Sequence, residues 1–138
     1  MKNILKSVSA FALGLFAANA MALDTSKILL CASLEVHECV DGEACRTVQP
    51  EDVDAPTFIW IDFEEKELRS GAGSRTSQID HIEEVEDRIV LQGVEDGHED
   101  ARDGTGWTIS IGTQTGRMVG TAAVEQAAIV IFGACTET

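Results

Sequence analysis

The sequence predicts an all-β fold, a small antiparallel up-and-down β-barrel or curled sandwich of about seven or eight strands, stapled by disulfides. Apolar residues recur at every second position in several short segments, which is the period of a half-buried strand. Short turns connect the later segments, and such connections force neighbouring strands to run antiparallel. The chain has four cysteines, an even number that favours two disulfide bridges.

The first predicted strand covers 28–39, where apolar and polar residues alternate. Residues 40–56 are polar and contain both prolines, which indicates a loop and an acidic connector. The segment TFIWIDF at 57–63 is the clearest strand, because β-branched and aromatic residues favour extended structure. A turn then leads to a short strand at 67–69.

A hairpin is expected next. Residues 75–84 alternate weakly and residues 88–94 alternate clearly, with a turn at Glu86 and Asp87 between them. A helix over 78–92 is the alternative on propensity, but its apolar residues do not keep the spacing of an amphipathic helix. The pattern therefore favours the hairpin.

Three strands close the chain, at 107–111, 117–122 and 127–134, each joined to the next by a short turn. A Gly-rich polar excursion, EDGHEDARDGTG at 95–106, precedes them. The run IVIF in the last strand is apolar on both faces, so that strand is expected to be central or covered.

The first 22 residues are predicted to be a secretory signal peptide. Two lysines precede an apolar stretch at 8–18, and small-x-small cleavage sites end at Ala20 and Ala22. The stretch is shorter than the roughly 20 apolar residues that a membrane-spanning helix needs. We therefore expect cleavage near Ala20 or Ala22, a single all-β domain at 23–138, and a periplasmic or secreted location without a membrane anchor.

The chain is strongly acidic, with 24 acidic and 10 basic residues and a net charge of −14. Removal of the predicted signal takes away two lysines and no acid, which brings the net charge to −16. Such a charge repels nucleic acid and anionic membrane surfaces. It suits a basic protein as partner, although solubility alone also accounts for it.

The cysteines are Cys31, Cys39, Cys45 and Cys135, and export places them in an oxidising compartment. Cys39 and Cys45 bracket a turn-rich stretch containing Asp-Gly, so a local bridge between them is expected. That leaves Cys31 to pair with Cys135, which would bring the first and last strands together and close the sheet. A zinc site is disfavoured, because the spacing does not match the C-x2-4-C of structural zinc sites.

Candidate catalytic residues are few. His37, His81 and His98 belong to no Ser/His/Asp or Cys/His arrangement that the sequence reveals. We therefore assign no catalytic residue, and we expect neither an enzyme nor a cofactor.

The Gly-rich excursion carries the candidate metal ligands Asp96, Asp100 and Asp103, because oxygen-rich loops bind Ca²⁺. Their spacing departs from the D-x-D-x-D-G pattern of a calcium loop, and other residue types interrupt it. The sequence therefore favours a solvated loop with no metal.

Two aromatic residues are the candidate partner or ligand surface. Phe58 and Trp60 lie on the opposite face of their strand from Ile59 and Ile61. They are expected either to pack under a loop or to form an exposed aromatic pair suited to a ligand or a partner.

Several motifs together resemble a group of small exported proteins of alphaproteobacteria that carry no assigned activity. These are the trio Cys31, Cys39 and Cys45 and the segments PTFIWIDF, LQG, WTISI, TGRMV and VIFGACT. The resemblance implies the fold and the compartment and no activity. A looser similarity is to periplasmic inhibitors of C-type lysozyme, which are also small disulfide-containing β-barrels. Their inhibitory loop aligns with no residues here, so no site is carried over.

Two functions are expected. The first is a noncatalytic periplasmic binding or interaction domain whose acidic loops, 40–56 and 95–106, hold a partner. Inhibition of a basic lysozyme is its sharpest version, since electrostatic attraction speeds association. The alternative is a lipocalin-like carrier of a small apolar ligand in the barrel interior. Small residues that would leave space for a ligand are Gly116, Gly120, Ala122, Ala127, Ala128 and Gly133.

Overall fold

A computed structural model describes residues 22–71, 75–96 and 104–138 of the protein. These residues form one antiparallel sheet that curls into a half-barrel, with two disulfides. The all-β class expected from the sequence is therefore confirmed. The signal peptide predicted at 1–22 lies outside the described residues except for Ala22.

Ten strands and one short 3-10 turn make up the described part of the chain. The 3-10 turn is Pro50–Val53. The strands are β1 Leu29–Val40, β2 Arg46–Val48, β3 Phe58–Asp62, β4 Glu67–Ser70, β5 Arg75–Gln78, β6 His81–Val85, β7 Arg88–Glu95, β8 Thr105–Gly112, β9 Arg117–Ala123 and β10 Ala127–Glu137.

The strand count is slightly higher than the seven or eight expected, for two reasons. The three-residue β2 lies in a stretch whose polar composition predicts a loop. The strand expected at 75–84 is divided into β5 and β6. The helix alternative over 78–92 is wrong, since β6 and β7 form a hairpin there.

The sheet is a meander in which neighbours in sequence are mostly neighbours in space. Its order is β5-β4-β3-β1-β10-β9-β8-β7-β6, and β2 pairs with the second half of β1. β1 and β10 pair along almost their whole length, with Cys31 opposite Cys135. A disulfide joins these two residues, so the first and last strands are adjacent as the sequence led us to expect. The second bridge joins Cys39 to Cys45.

The two ends of the sheet meet where β5 runs into β6. Ile79 donates its backbone N–H to the carbonyl oxygen of Lys66, 2.8 Å away, beside β4. The next residue, Asp80, donates to the carbonyl oxygen of Gln92 in β7, 2.9 Å away. The chain therefore changes partner between adjacent residues, and this corner curls the sheet around one interior.

One end of that interior is filled with apolar side chains. The side chains with almost no exposure include Leu29, Ile61, Ile89 and Ile111. The segment before β1 covers this end, because Leu23 packs against the core and donates its backbone N–H to the carbonyl oxygen of Thr113. The interior is less completely filled toward the opposite end.

Candidate ligand-binding cavity

A cavity of about 770 Å³ lies inside the curled sheet. Pockets that hold small molecules typically measure between roughly 300 and 1,000 Å³. Its floor and walls are largely apolar. The apolar residues that face it include Ile59, Leu68, Trp107, Ile109, Met118, Gly120, Ala122, Ile129 and Ile131.

Small inward residues on β9 leave room for this cavity. Gly120 pairs with Ile131 on one side and with Ile109 on the other, and Ala122 follows it on the same face. A Cβ atom at Gly120 would lie 3.7 Å from the nearest atom of Ile131 and 3.8 Å from Ile109. These are ordinary contact distances. The glycine is therefore not required by close packing, and its missing side chain adds space to the cavity.

Trp107 forms a fixed wall of the cavity. Its indole Nε1 donates a hydrogen bond to the hydroxyl oxygen of Ser77, 3.1 Å away, so the ring spans from β8 to β5. The ring lies over Gly93, where a Cβ atom would come within 2.3 Å of the indole Cζ2. Only glycine at position 93 allows the tryptophan to take this place.

Four charged side chains form part of the border of the cavity. We call this group the rim, and it consists of Asp54, Arg75, Glu95 and Asp96. Arg75 donates a hydrogen bond to the carboxylate of Asp54, and its Nε lies 3.9 Å from Oε1 of Glu95. The hydrogen bond that Arg75 donates to Asp54 raises the pKa of Arg75, which stays protonated. With three carboxylates and one guanidinium, the rim carries a net charge of −2.

The candidate surface residues Phe58 and Trp60 do not line this cavity. Both belong to β3, in which the alternate residues Ile59 and Ile61 are buried. Phe58 and Trp60 therefore lie on the outer face of the sheet. Phe58 is 44% exposed and Trp60 is half-buried. A role for this pair in holding a partner stays a prediction.

Of the candidate metal ligands, Asp96 lies at the rim, and Asp100 and Asp103 lie outside the described residues. Within 22–71, 75–96 and 104–138, no three His, Cys, Asp or Glu side chains are grouped to hold a metal ion.

The described histidines lie on the outer face of the sheet, away from the cavity. Nε2 of His37 lies 2.9 Å from a carboxylate oxygen of Glu35, and Nε2 of His81 lies 3.3 Å from one of Glu83. The hydroxyl of Thr47 lies 3.5 Å from Nδ1 of His37, at the limit of a hydrogen bond. Nothing in the described residues indicates catalysis. His98 lies outside them.

Part of this site is visible in the sequence and part is not. Gly120 and Ala122 are among the small residues expected to leave space, and both line the cavity. Gly133 is not a lining residue, because a Cβ atom there would come within 2.3 Å of the carbonyl oxygen of Ala32 and 2.6 Å of the terminal methyl of Met118. The rim was missed, since Asp54, Arg75 and Glu95 are distant in sequence and only the curled sheet brings them together.

No helix in the described part of the chain is long and apolar enough to cross a membrane. Both disulfides are compatible with an oxidising, extracytoplasmic location. Comparisons with models of protein families, with curated proteins and with solved structures found no match. Function is therefore inferred from the cavity and from the charges around it.

Proposed function

We propose that the protein is a noncatalytic binding domain that carries a small apolar or amphipathic ligand in the cavity of the curled sheet. The observation that supports this function best is the cavity of about 770 Å³, whose lining is more apolar than polar. Of the two functions expected from the sequence, this is the lipocalin-like carrier. The cavity opens to solvent, so the apolar side chains that line it lack the contacts of a packed core. A ligand would restore them.

The expected affinity follows from the area that a ligand would bury. Each methylene group removed from water contributes about 0.8 kcal/mol, so an alkyl chain of about twelve carbons contributes on the order of 10 kcal/mol. Association and ordering cost several kcal/mol of this gain. We therefore expect dissociation constants on the order of micromolar or weaker.

Fluorescence tests the proposal, because Trp107 borders the cavity and Trp60 does not. In the variant Trp60→Phe, the neutral apolar dye N-phenyl-1-naphthylamine should quench Trp107 with a saturable, one-to-one titration. Gly120→Val should weaken this binding, because the new side chain projects into the cavity without a clash at Cβ and takes up part of its space.

Ala123→Val is the matched control, since Ala123 is exposed on the outward face of the same strand. It should bind the dye as the parent protein does. A dye that fails to bind, or that binds equally well to the Gly120→Val variant, would rule out the cavity as the binding site.

An acidic surface supports a second candidate, the interaction domain. The connector between β1 and β3 is held by the Cys39–Cys45 bridge and by the 3-10 turn. Its exposed carboxylates are Asp41, Glu43, Glu51, Asp52 and Asp54. A basic protein, such as a lysozyme, would be attracted to this surface.

Binding to a panel of basic lysozymes, at low and at physiological salt, tests this second candidate. We expect specific association that weakens as the salt concentration rises. The double variant Asp41→Asn with Glu43→Gln should weaken it further. Absence of binding at both salt concentrations would reject the lysozyme version.

A further inference from the structure

We propose that the cavity discriminates between amphiphiles by the charge of the head group and prefers a cationic head group over an anionic one. The inference deepens the proposed function and rests on it, because it concerns the same cavity. It follows from the contrast between an apolar floor and an acidic rim.

The arrangement of side chains defines how an amphiphile would lie. Ile59, Ile109 and Ile131 border the apolar interior, whereas charged side chains stand at the border with solvent. An alkyl tail gains free energy only where it leaves water. A bound amphiphile would therefore place its tail among the isoleucines and its head group at the rim.

Arg75 is the one cationic side chain among the described residues that border the cavity, and it is already engaged. Its guanidinium donates to the carboxylate of Asp54 and lies beside Glu95. An anionic head group would have to displace Asp54 from Arg75 and would then face Glu95 and Asp96. A cationic head group meets these two carboxylates without breaking the existing pair.

The size of the preference follows from Coulomb's law. A rim charge of −2 acting through water at a distance of about 8 Å favours a monovalent cation over a monovalent anion by roughly ten- to thirtyfold at low ionic strength. Salt screens exposed charges over a Debye length of about 8 Å at physiological ionic strength. We therefore expect the preference to shrink to a few-fold under those conditions.

Three ligands with the same alkyl chain test the preference. Dodecyltrimethylammonium and dodecanoate, each below its micellar concentration, and 1-dodecanol, below its solubility limit, are used to displace N-phenyl-1-naphthylamine from the protein. The expected order of affinity is cation, then alcohol, then anion. Equal affinities for the cation and the anion, or tighter binding of the anion, would overturn the inference.

Charge variants separate the rim from the charge of the whole molecule. At low ionic strength, Glu95→Gln should lower the cation-to-anion ratio about three- to sixfold, and Arg75→Gln should raise it. Glu43→Gln is the matched control, because Glu43 is an exposed carboxylate in the disulfide loop and does not border the cavity. If Glu43→Gln changes the ratio as much as Glu95→Gln does, the preference does not come from the rim.

Failure of the inference and failure of the proposed function give different results. If 1-dodecanol displaces the dye and the two charged ligands bind equally, the cavity binds amphiphiles without selecting the head group. If the dye itself does not bind, both proposals fail.

Discussion

Single glycines have different structural roles in this sheet, and each role predicts a different response to substitution. At Gly120 a side chain would find ordinary contacts, so replacement fills space. At Gly93 a Cβ atom would come within 2.3 Å of Trp107 and 2.6 Å of the carbonyl oxygen of Gln78. The backbone oxygen cannot move aside as the end of a flexible side chain can. Replacement of Gly93 must therefore disturb the cavity wall.

We expect Gly93→Ala to lower the free energy of unfolding by about 1–3 kcal/mol, the usual range for overpacking. Thermal unfolding followed by circular dichroism measures the loss, and the emission of Trp107 reports the displaced ring. Gly106→Ala is the control, because a Cβ atom at Gly106 would meet nothing within 4 Å. Equal stability of the two variants would contradict the close approach at Gly93.

At the scale of the element, the segment before β1 is attached to the end of β10 by polar contacts. Asp24 donates its backbone N–H to Oε1 of Glu137, 2.9 Å away, and Nζ of Lys27 lies 2.6 Å from Oε2 of Glu137. The hydrogen bond from Lys27 lowers the pKa of Glu137. Hydrogen bonds from Ser26 lower the pKa of Asp24.

Lowered pKa values fix the direction of the pH dependence. Both carboxyls bind protons less readily in the folded protein, so their stabilising contribution is complete above their ordinary pKa values of about 4 to 4.5. It is lost as the pH falls through the lower, folded-state values. The same pairing raises the pKa of Lys27, whose contribution is lost only at strongly alkaline pH.

We therefore expect the contacts of Asp24 and Lys27 with Glu137 to weaken when the pH falls below about 4. The amide NMR signals of Asp24 and Ser26 should shift toward random-coil positions over that interval while those of β1 stay unchanged. In Glu137→Gln the part of this shift that comes from Glu137 should disappear, while the part that comes from the carboxyl of Asp24 itself should remain. Signals that keep their positions from pH 6 to pH 2.5 in the parent protein would contradict the assignment.

For the whole molecule, the two disulfides constrain the unfolded chain to different extents. The Cys31–Cys135 bridge closes a loop with a sequence separation of 104, and the Cys39–Cys45 bridge one of 6. By chain entropy, the long loop contributes about 4–5 kcal/mol and the short loop about 2 kcal/mol. The bridge between the first and last strands is therefore expected to make the larger contribution to the free energy of unfolding.

Urea unfolding of two double variants measures this difference. Cys31→Ala with Cys135→Ala should lose more free energy of unfolding than Cys39→Ala with Cys45→Ala. Equal losses would show that strain or residual structure, rather than loop entropy, sets the contribution of the bridges.

Local patterns were enough to predict the strands of the meander, because alternation and turn residues are properties of neighbouring positions. The division of the strand at 75–84 was not predictable, since the change of partner at Ile79 and Asp80 depends on β4 and β7. β2 was missed because a three-residue strand carries too few apolar residues to show alternation.

For the cavity too, some features follow from local sequence patterns and others depend on contacts between distant strands. Gly120 and Gly133 look alike in the sequence, and only the folded structure shows that a side chain at Gly120 has room whereas one at Gly133 would meet the backbone of Ala32 and the end of Met118. The rim combines residues from the connector, β5 and the end of β7. Their proximity depends on the curl of the whole sheet, which no local pattern encodes.

The location of a bound ligand is the most direct test of the carrier function. A crystal structure with 12-bromododecan-1-ol would locate the bromine by its anomalous scattering. We expect the bromine inside the sheet, close to Gly120 and between Ile109 and Ile131, with the hydroxyl toward the rim. Bromine found only on the outer face, beside Phe58 and Trp60, would contradict the cavity as the binding site and would support the aromatic surface instead.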